Sequence, residues 1–410
     1  MAAFKKPAGQ EPSWRILRHT AMVLLVISLV VVTTRHTQVL KTITRWPPFA
    51  QPPPRELQFS PSATLKISVF SDLHFGEAES TDWGPEQDSR TLRVMASMLD
   101  TEVPDLVVLN GDLITGDDTQ LENATDYLDM LVAPMVQRSV PWASAYGNHD
   151  NHFNINTETI LEKERGYYSL SLTEKMVTGK GEEVGVSNYY VPVYQIGKNG
   201  PVAMLWFFDS RGGMTFQKNG KNGKDGKKVQ LPGVVDPTVT KWFVRTSRNL
   251  RRQHRGESIP SLVFVHIPLN AMRQFQEAGV DEHRQPGIND DVPLASQTGD
   301  EEFLNALSEE GVAAVFSGHD HGNDWCMSTK TANKQPLFAC FGRHTGYGGY
   351  GRWMRGSRQI LLTSDGEIET WIRLEDGDVS GRVSLNSTYG QDIYPKARKA
   401  FTSLGAGEAR

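Results

Sequence analysis

SGHDHGNDW, Ser317–Trp325, sets two histidines either side of an aspartate, directly after the apolar run VAAVFS, Val312–Ser317. A short uncharged run closed by glycine reads as a strand buried on both faces. Such strands belong to sheets covered by helices. His319 and His321 then stand two apart on an extended segment just past the strand, so their rings can be aimed at two different targets. Everything else in the chain is read from that edge outward.

The same alternation recurs on both sides of it. Apolar runs at Leu65–Ser71, Asp105–Asn110, Pro141–Gly147, Val202–Ser210 and Ser261–His266 read as strands, with further strands at Gln359–Thr363 and Glu367–Leu374. Helical spacing appears at Thr91–Asp100, Leu121–Met135, Lys241–Gln253 and Glu301–Glu310. Strand and helix in turn predict an α/β layered fold. Two polar, Gly-rich stretches interrupt it, Glu174–Asn188 and 212–230. The second, rich in lysine, reads as a solvated loop, or as a basic lip that draws anions.

The residues just past each strand are not random. Asp72-Leu-His74 comes after the first, Gly111-Asp112 after the second and Gly147-Asn148-His149-Asp150 after the third. His266 ends the fifth, and His319 and His321 lie just beyond the sixth. The carboxyl ends of strands in open α/β sheets form the ligand crevice, so these residues are expected to converge there. Each block alone is commonplace; five in order are not. Carboxylates, imidazoles and an amide oxygen suit Mn, Fe or Zn, and there are too many ligands for one tetrahedral zinc. The residues therefore predict a two-metal site.

The order D-x-H, G-D, G-N-H-D, lone H, G-H-x-H resembles the calcineurin-like metallophosphoesterase superfamily, spread here over Asp72 to His321. That resemblance implies a four-layer α/β/β/α sandwich. It implies that Asp72, His74 and His321 hold one metal, that Asn148, His266 and His319 hold the other, and that Asp112 bridges them. His149, with Asn148, would touch the substrate phosphate. The stretches His266–Met272, Gly318–Cys326 and Cys340–Gly351 are similar to a plant and fungal branch beside the purple acid phosphatases. In the purple enzymes a tyrosine three residues after the bridging aspartate binds ferric iron; here that position is Thr115.

Two cations would acidify a bridging water, and the hydroxide would attack phosphorus without any Ser or Cys nucleophile. His149 is the expected general acid. Asp150 either orients that imidazole or caps its own loop. Asp209, Asp320 and Asp324 are candidates to fix the ligand histidines. Arg343 and His344 either face the substrate phosphate or pack their loop, and Asn188 and Tyr189 are further candidates for the pocket wall. The expected activity is phosphomonoester hydrolysis, on a small molecule or a phosphoprotein. A diesterase or nuclease, or a silent membrane-anchored scaffold, are the alternatives. Nucleic acid is the weaker partner, since the lysine loop has only Phe216 beside it.

With 38% hydrophobic and 22% charged residues and a net charge of −5, the composition is ordinarily globular. Residues 1–36 read as a basic cytoplasmic tail and a short signal anchor, whose apolar core is Ala21–Thr34. Residues 37–61 read as a Pro-rich stem, 62–390 as the catalytic domain and 391–410 as a loose polar tail. The expected location is the secretory pathway or vacuolar membrane, single-pass with a luminal or extracellular domain, or secretion if the anchor is cleaved. There Cys326 and Cys340 could pair, and Asn123 and Asn386 are glycosylation acceptor patterns.

Overall fold

The computed structural model describes residues 56–219, 228–254, 259–330 and 336–402. The expected anchor, residues 37–55 of the stem, the tip of the lysine loop and residues 403–410 lie outside these. Among the described residues no helix is long and apolar enough to cross a membrane.

The apolar runs form two sheets. One holds seven strands in the order β1 (Leu57–Gln58), β5 (Tyr189–Tyr194), β6 (Ala203–Phe208), β9 (Ser261–Val265), β10 (Val312–Ser317), β12 (Pro336–Phe341), β11 (Cys326–Lys330). The other holds β15 (Val379–Ser384), β14 (Ile368–Leu374), β13 (Gly356–Thr363), β2 (Thr64–Phe70), β3 (Leu106–Asn110) and β4 (Trp142–Ala145). Within them β2, β3 and β4 run parallel, as do β6, β9, β10 and β12.

Period-two alternation explains the layers. Leu65, Ile67, Leu106 and Val108 point inward and meet Leu205, Phe207, Phe264 and Phe316 of the other sheet. Their sequence neighbours point outward. Val107, Leu109 and Trp142 pack under α1 (Trp83–Glu102), α2 (Asp126–Arg138) and α3 (Thr157–Glu164). Trp206, Phe208 and Val263 pack under α5 (Pro237–Gln253), α6 (Asn270–Ala278) and α7 (Glu301–Glu309). The single-turn α4 (Gly181–Val184) precedes β5. The result is the expected α/β/β/α sandwich.

The differences from the sequence reading have local causes. Helix α1 starts at Trp83 rather than Thr91, because Gln87 and Asp88 are buried polar residues that hide the apolar stripe. Asp88 accepts from the Gly76 amide. Helix α5 starts at Pro237, where Asp236 caps it by accepting from Thr238 N. The stretch 212–230 is not structureless: β7 (Met214–Asn219) pairs with β8 (Lys228–Gln230). Cys326 and Cys340 face each other across β11 and β12 and form a disulfide. The supposed loose tail docks as far as Thr402: Met354 N donates to Ala400 O, Thr402 N donates to Arg352 O, and Lys399 pairs with Asp290.

Candidate metal centre

All five motif blocks emerge at one edge of the sandwich, because β2, β3, β4, β9 and β10 end there. The loops after β2 and β3 are stitched together by Leu73 N and His74 N, both donating to Asp112 O. Asn110 links the sheets, its amide donating to Phe316 O while its carbonyl accepts from His266 Nδ1. Space there is tight. A Cβ on Gly111, whose φ is +87°, would sit 2.3 Å from the His266 ring, and one on Gly147 would sit 2.3 Å from Asp112. Asp72, His74, Asp112 and His319 themselves hold left-handed backbone, with φ between 49° and 77°. For non-glycine residues this conformation is costly and characteristic of functional sites.

Two triads result. The donor atoms of Asp72, His74 and His321 lie within 4.8 Å of one another, and so do those of Asp112, His266 and His319. Asp112 stands between the groups, its Oδ2 lying 3.0 Å from His266 Nε2 and 3.8 Å from His74 Nε2. Its Oδ1 accepts from the His149 amide at 2.8 Å. Three rings are held from behind. His266 Nδ1 donates to Asn110 O, His321 Nδ1 donates to Tyr350 O, and His74 Nδ1 meets Thr115 Oγ1 at 3.1 Å. Each leaves Nε2 for the centre, as ligand histidines require. The Nε2 atoms of His74 and His321 face each other across 3.3 Å. Asn148 Oδ1 is buried with no hydrogen-bond partner. Buried carboxylates and imidazole nitrogens gathered this closely fit a cation.

The electrostatics divide along the same line. Burial raises the Asp72 carboxyl to about 7, against the pull of His266. Burial lowers His74 to about 3 and His321 well below its usual value, and each is pushed further down by its histidine neighbours. In the second triad burial opposes charge on His266, yet Asp112 lifts it to about 10. Burial works against the Asp112 carboxylate, but His266 and His149 together hold it well below the usual range. His319 falls to about 4 through burial and the charge on His266.

His149 stands beside the triads, its ring edge-on to His74 at 4.9 Å. Asp117, not Asp150, holds it: His149 Nδ1 lies 3.0 Å from Asp117 Oδ1. Burial opposes the imidazolium, but Asp112 and Asp117 raise it to about 9. Asp150 is the loop cap, accepting from Leu113 N, Ile114 N and Gly147 N.

Other candidates are placed elsewhere. Arg343 is buried, with its guanidinium on Met354 O and on Asp324 at 2.7 Å, so it packs its loop and does not reach the cleft. His344 is also buried, both ring nitrogens occupied by Arg355 and Gly348 O, and its ring lies tilted against that of His321 at 3.8 Å. Asp209 and Asp324 pin backbone and Arg343, and Asp320 Oδ1 accepts from Ala295 N; no ligand ring rests on them. Asn188 and Tyr189 are turned into the core. A cleft of about 810 Å³ opens over the triads, and Trp83, Tyr347, Tyr350, Arg352, Arg355 and Thr402 line it together with His74, Asp112, His319 and His321. The sequence reading missed Asp117, Tyr350 and Arg352. A weak signal for Asp117 existed: it lies five residues past the Gly-Asp block, inside the same loop.

A model of the calcineurin-like phosphoesterase family matches residues 65–323. Among proteins of similar sequence, a "Probable inactive purple acid phosphatase 28" of Arabidopsis thaliana is 30% identical over 350 residues, 78% of this chain and 83% of that protein. A "Probable inactive purple acid phosphatase 14" of the same plant is 26% identical, covering 78% and 83%. "Phosphatase DCR2" of Saccharomyces cerevisiae is 28% identical over 78% of this chain and 55% of its own length.

Proposed function

The chain belongs to the calcineurin-like phosphoesterase family, and from that premise we propose that it is an active, metal-dependent phosphomonoesterase. The supporting observation is the completeness of the donor set: two triads, Asp112 within reach of both, and an Asn148 oxygen without a hydrogen-bond partner. Asp72, His74 and His321 would hold one ion and Asn148, His266 and His319 the other, with Asp112 shared. Manganese, iron and zinc all suit these donors. Such ions supply Lewis acidity toward phosphoryl oxygens and acidify a water at neutral pH.

The remaining work falls to protein groups. His149, charged and held by Asp117, donates a proton to the leaving oxygen. Its amide keeps Asp112 turned so that one carboxylate oxygen serves both triads. Thr115 occupies the place of the ferric tyrosine and supports the His74 ring instead. We therefore assign no obligate ferric iron. The substrate's organic part would lie against Trp83, Tyr350 and Arg352.

The names of the Arabidopsis relatives favour a second reading, a silent binding protein with this fold. One experiment separates the two: metal content of the purified chain, with hydrolysis of an aryl phosphate monoester and diester, for wild type and Asp112→Asn. About two ions per chain and monoesterase activity that disappears in the variant is the expected result. Diesterase dominance would move the assignment within the family. A chain inert after Mn, Fe and Zn have each been supplied would leave the silent reading.

A further inference from the structure

Away from the metal centre, the outer helical layer over the seven-stranded sheet carries a second concave feature. Helices α5 and α7 leave between them a groove of about 770 Å³. Lys241, Arg245, Arg248 and Arg252 line one wall, spaced four, three and four residues apart, which places them on one face of α5. All four are exposed. Arg248 is committed to Glu310 at 2.7 Å. Lys241, Arg245 and Arg252 have no carboxylate partner among the described residues, in a chain whose net charge is −5. Arg251, on a neighbouring face, is paired with Glu310.

Lys241 and Arg245 are neighbours four apart, and Arg252 continues the same face beyond the paired Arg248; unpaired like charges on one face repel one another unless an anion relieves them. We propose that this groove docks an acidic polypeptide segment of a partner protein. The row from Lys241 to Arg252 spans about 16 Å of helix, the length of about five extended residues. The floor includes Val244 and Ala306, and Asn249 and Asn305 offer amides to a peptide backbone. Glu302 and Glu309 stand on the opposite wall. Those carboxylates disfavour a broad polyanion such as a lipid surface or a duplex, which would meet both walls at once. A single chain can track the basic wall and keep its acidic side chains off the other.

The test needs no turnover, so it stands or falls apart from the catalytic assignment. Binding of a short fluorescein-labelled polyglutamate peptide to the full chain is monitored by anisotropy at low and physiological salt. The double variant Arg245→Ala/Arg252→Ala should bind about tenfold more weakly, and Lys241→Glu should weaken binding too. Lys180→Ala and Lys198→Ala, surface cations off the groove, should change nothing. The substituted groove side chains are exposed and have no carboxylate partner among the described residues, so unchanged thermal midpoints are expected and are measured alongside. Peptide binding that is absent in the wild type, or equal in the wild type and both groove variants, overturns the proposal. So does groove-dependent capture of phosphatidylserine vesicles or duplex DNA that exceeds capture of the peptide.

Discussion

The two triads are built from the same residue types, one aspartate and two histidines each, yet they differ in enclosure. Asp72, His74 and His321 are all buried, and both rings are supported from behind by Thr115 and Tyr350. In the other triad His319 is only partly buried and, among the described residues, its ring has no hydrogen-bonded support. Their metal-free charge states differ too: neutral imidazoles in the first, an Asp112–His266 ion pair in the second. The same residue types thus make one half whose ligands are all sealed by burial and one that is partly exposed and carries a proton to be displaced, with side chains of both lining the cleft.

Removing a ligand from each half tests this most strongly. His74→Ala should lower kcat/KM on an aryl phosphate by about 10³-fold, and His319→Ala by about 10²-fold with partial recovery in excess metal. Equal losses with no recovery in either variant would erase the distinction. Next in size, His149→Asn should lower kcat by about 10²-fold with metal content intact. A loss of metal in that variant would make His149 a ligand and not an acid. Thr115→Val should weaken metal retention about tenfold in the sealed half alone. Titrating a chelator against the loaded chain would read this as one early-released ion rather than two.

The smallest effect is in the pH dependence. Below about 7 the first half must displace a proton from Asp72 to take a metal, and above that its affinity should level off. The second half must displace the His266 proton, which is held up to about 10. Its affinity should therefore keep rising by about tenfold per pH unit between pH 7 and 9. Competition with a chelating dye across that range would show one flat and one rising component. Parallel slopes would mean that the Asp112–His266 pair does not hold its proton in solution.

Particular residues show how much is legible in the sequence. His319 and His321 can be read because they follow the end of β10 within a few residues, so a correct strand reading puts them at the edge. The same holds for Asp72, His74, Asp112 and His266. The supporting groups cannot be read. Thr115 meets His74 from 41 positions away, and Tyr350 meets His321 from 29. Asp150 looks like the partner of His149 because it is adjacent, but adjacent residues on a turn point apart. Its carboxylate instead takes three amides of two loops. Arg343 looks like a phosphate ligand because it is cationic in a glycine-rich loop. Its direction is set by Asp324 just before β11, a contact that no local pattern announces.

The order of residues along the chain is enough to set the layers and the ligand types. A run apolar on both faces must lie inside a covered sheet, and residues immediately beyond such a run must stand at its edge. Which ring nitrogen faces the centre, which half is sealed, and that Asp117 holds His149 are settled only in the folded molecule. Those outcomes depend on loops from different strands meeting once the two sheets stack, and the spacing along the chain carries no record of that meeting.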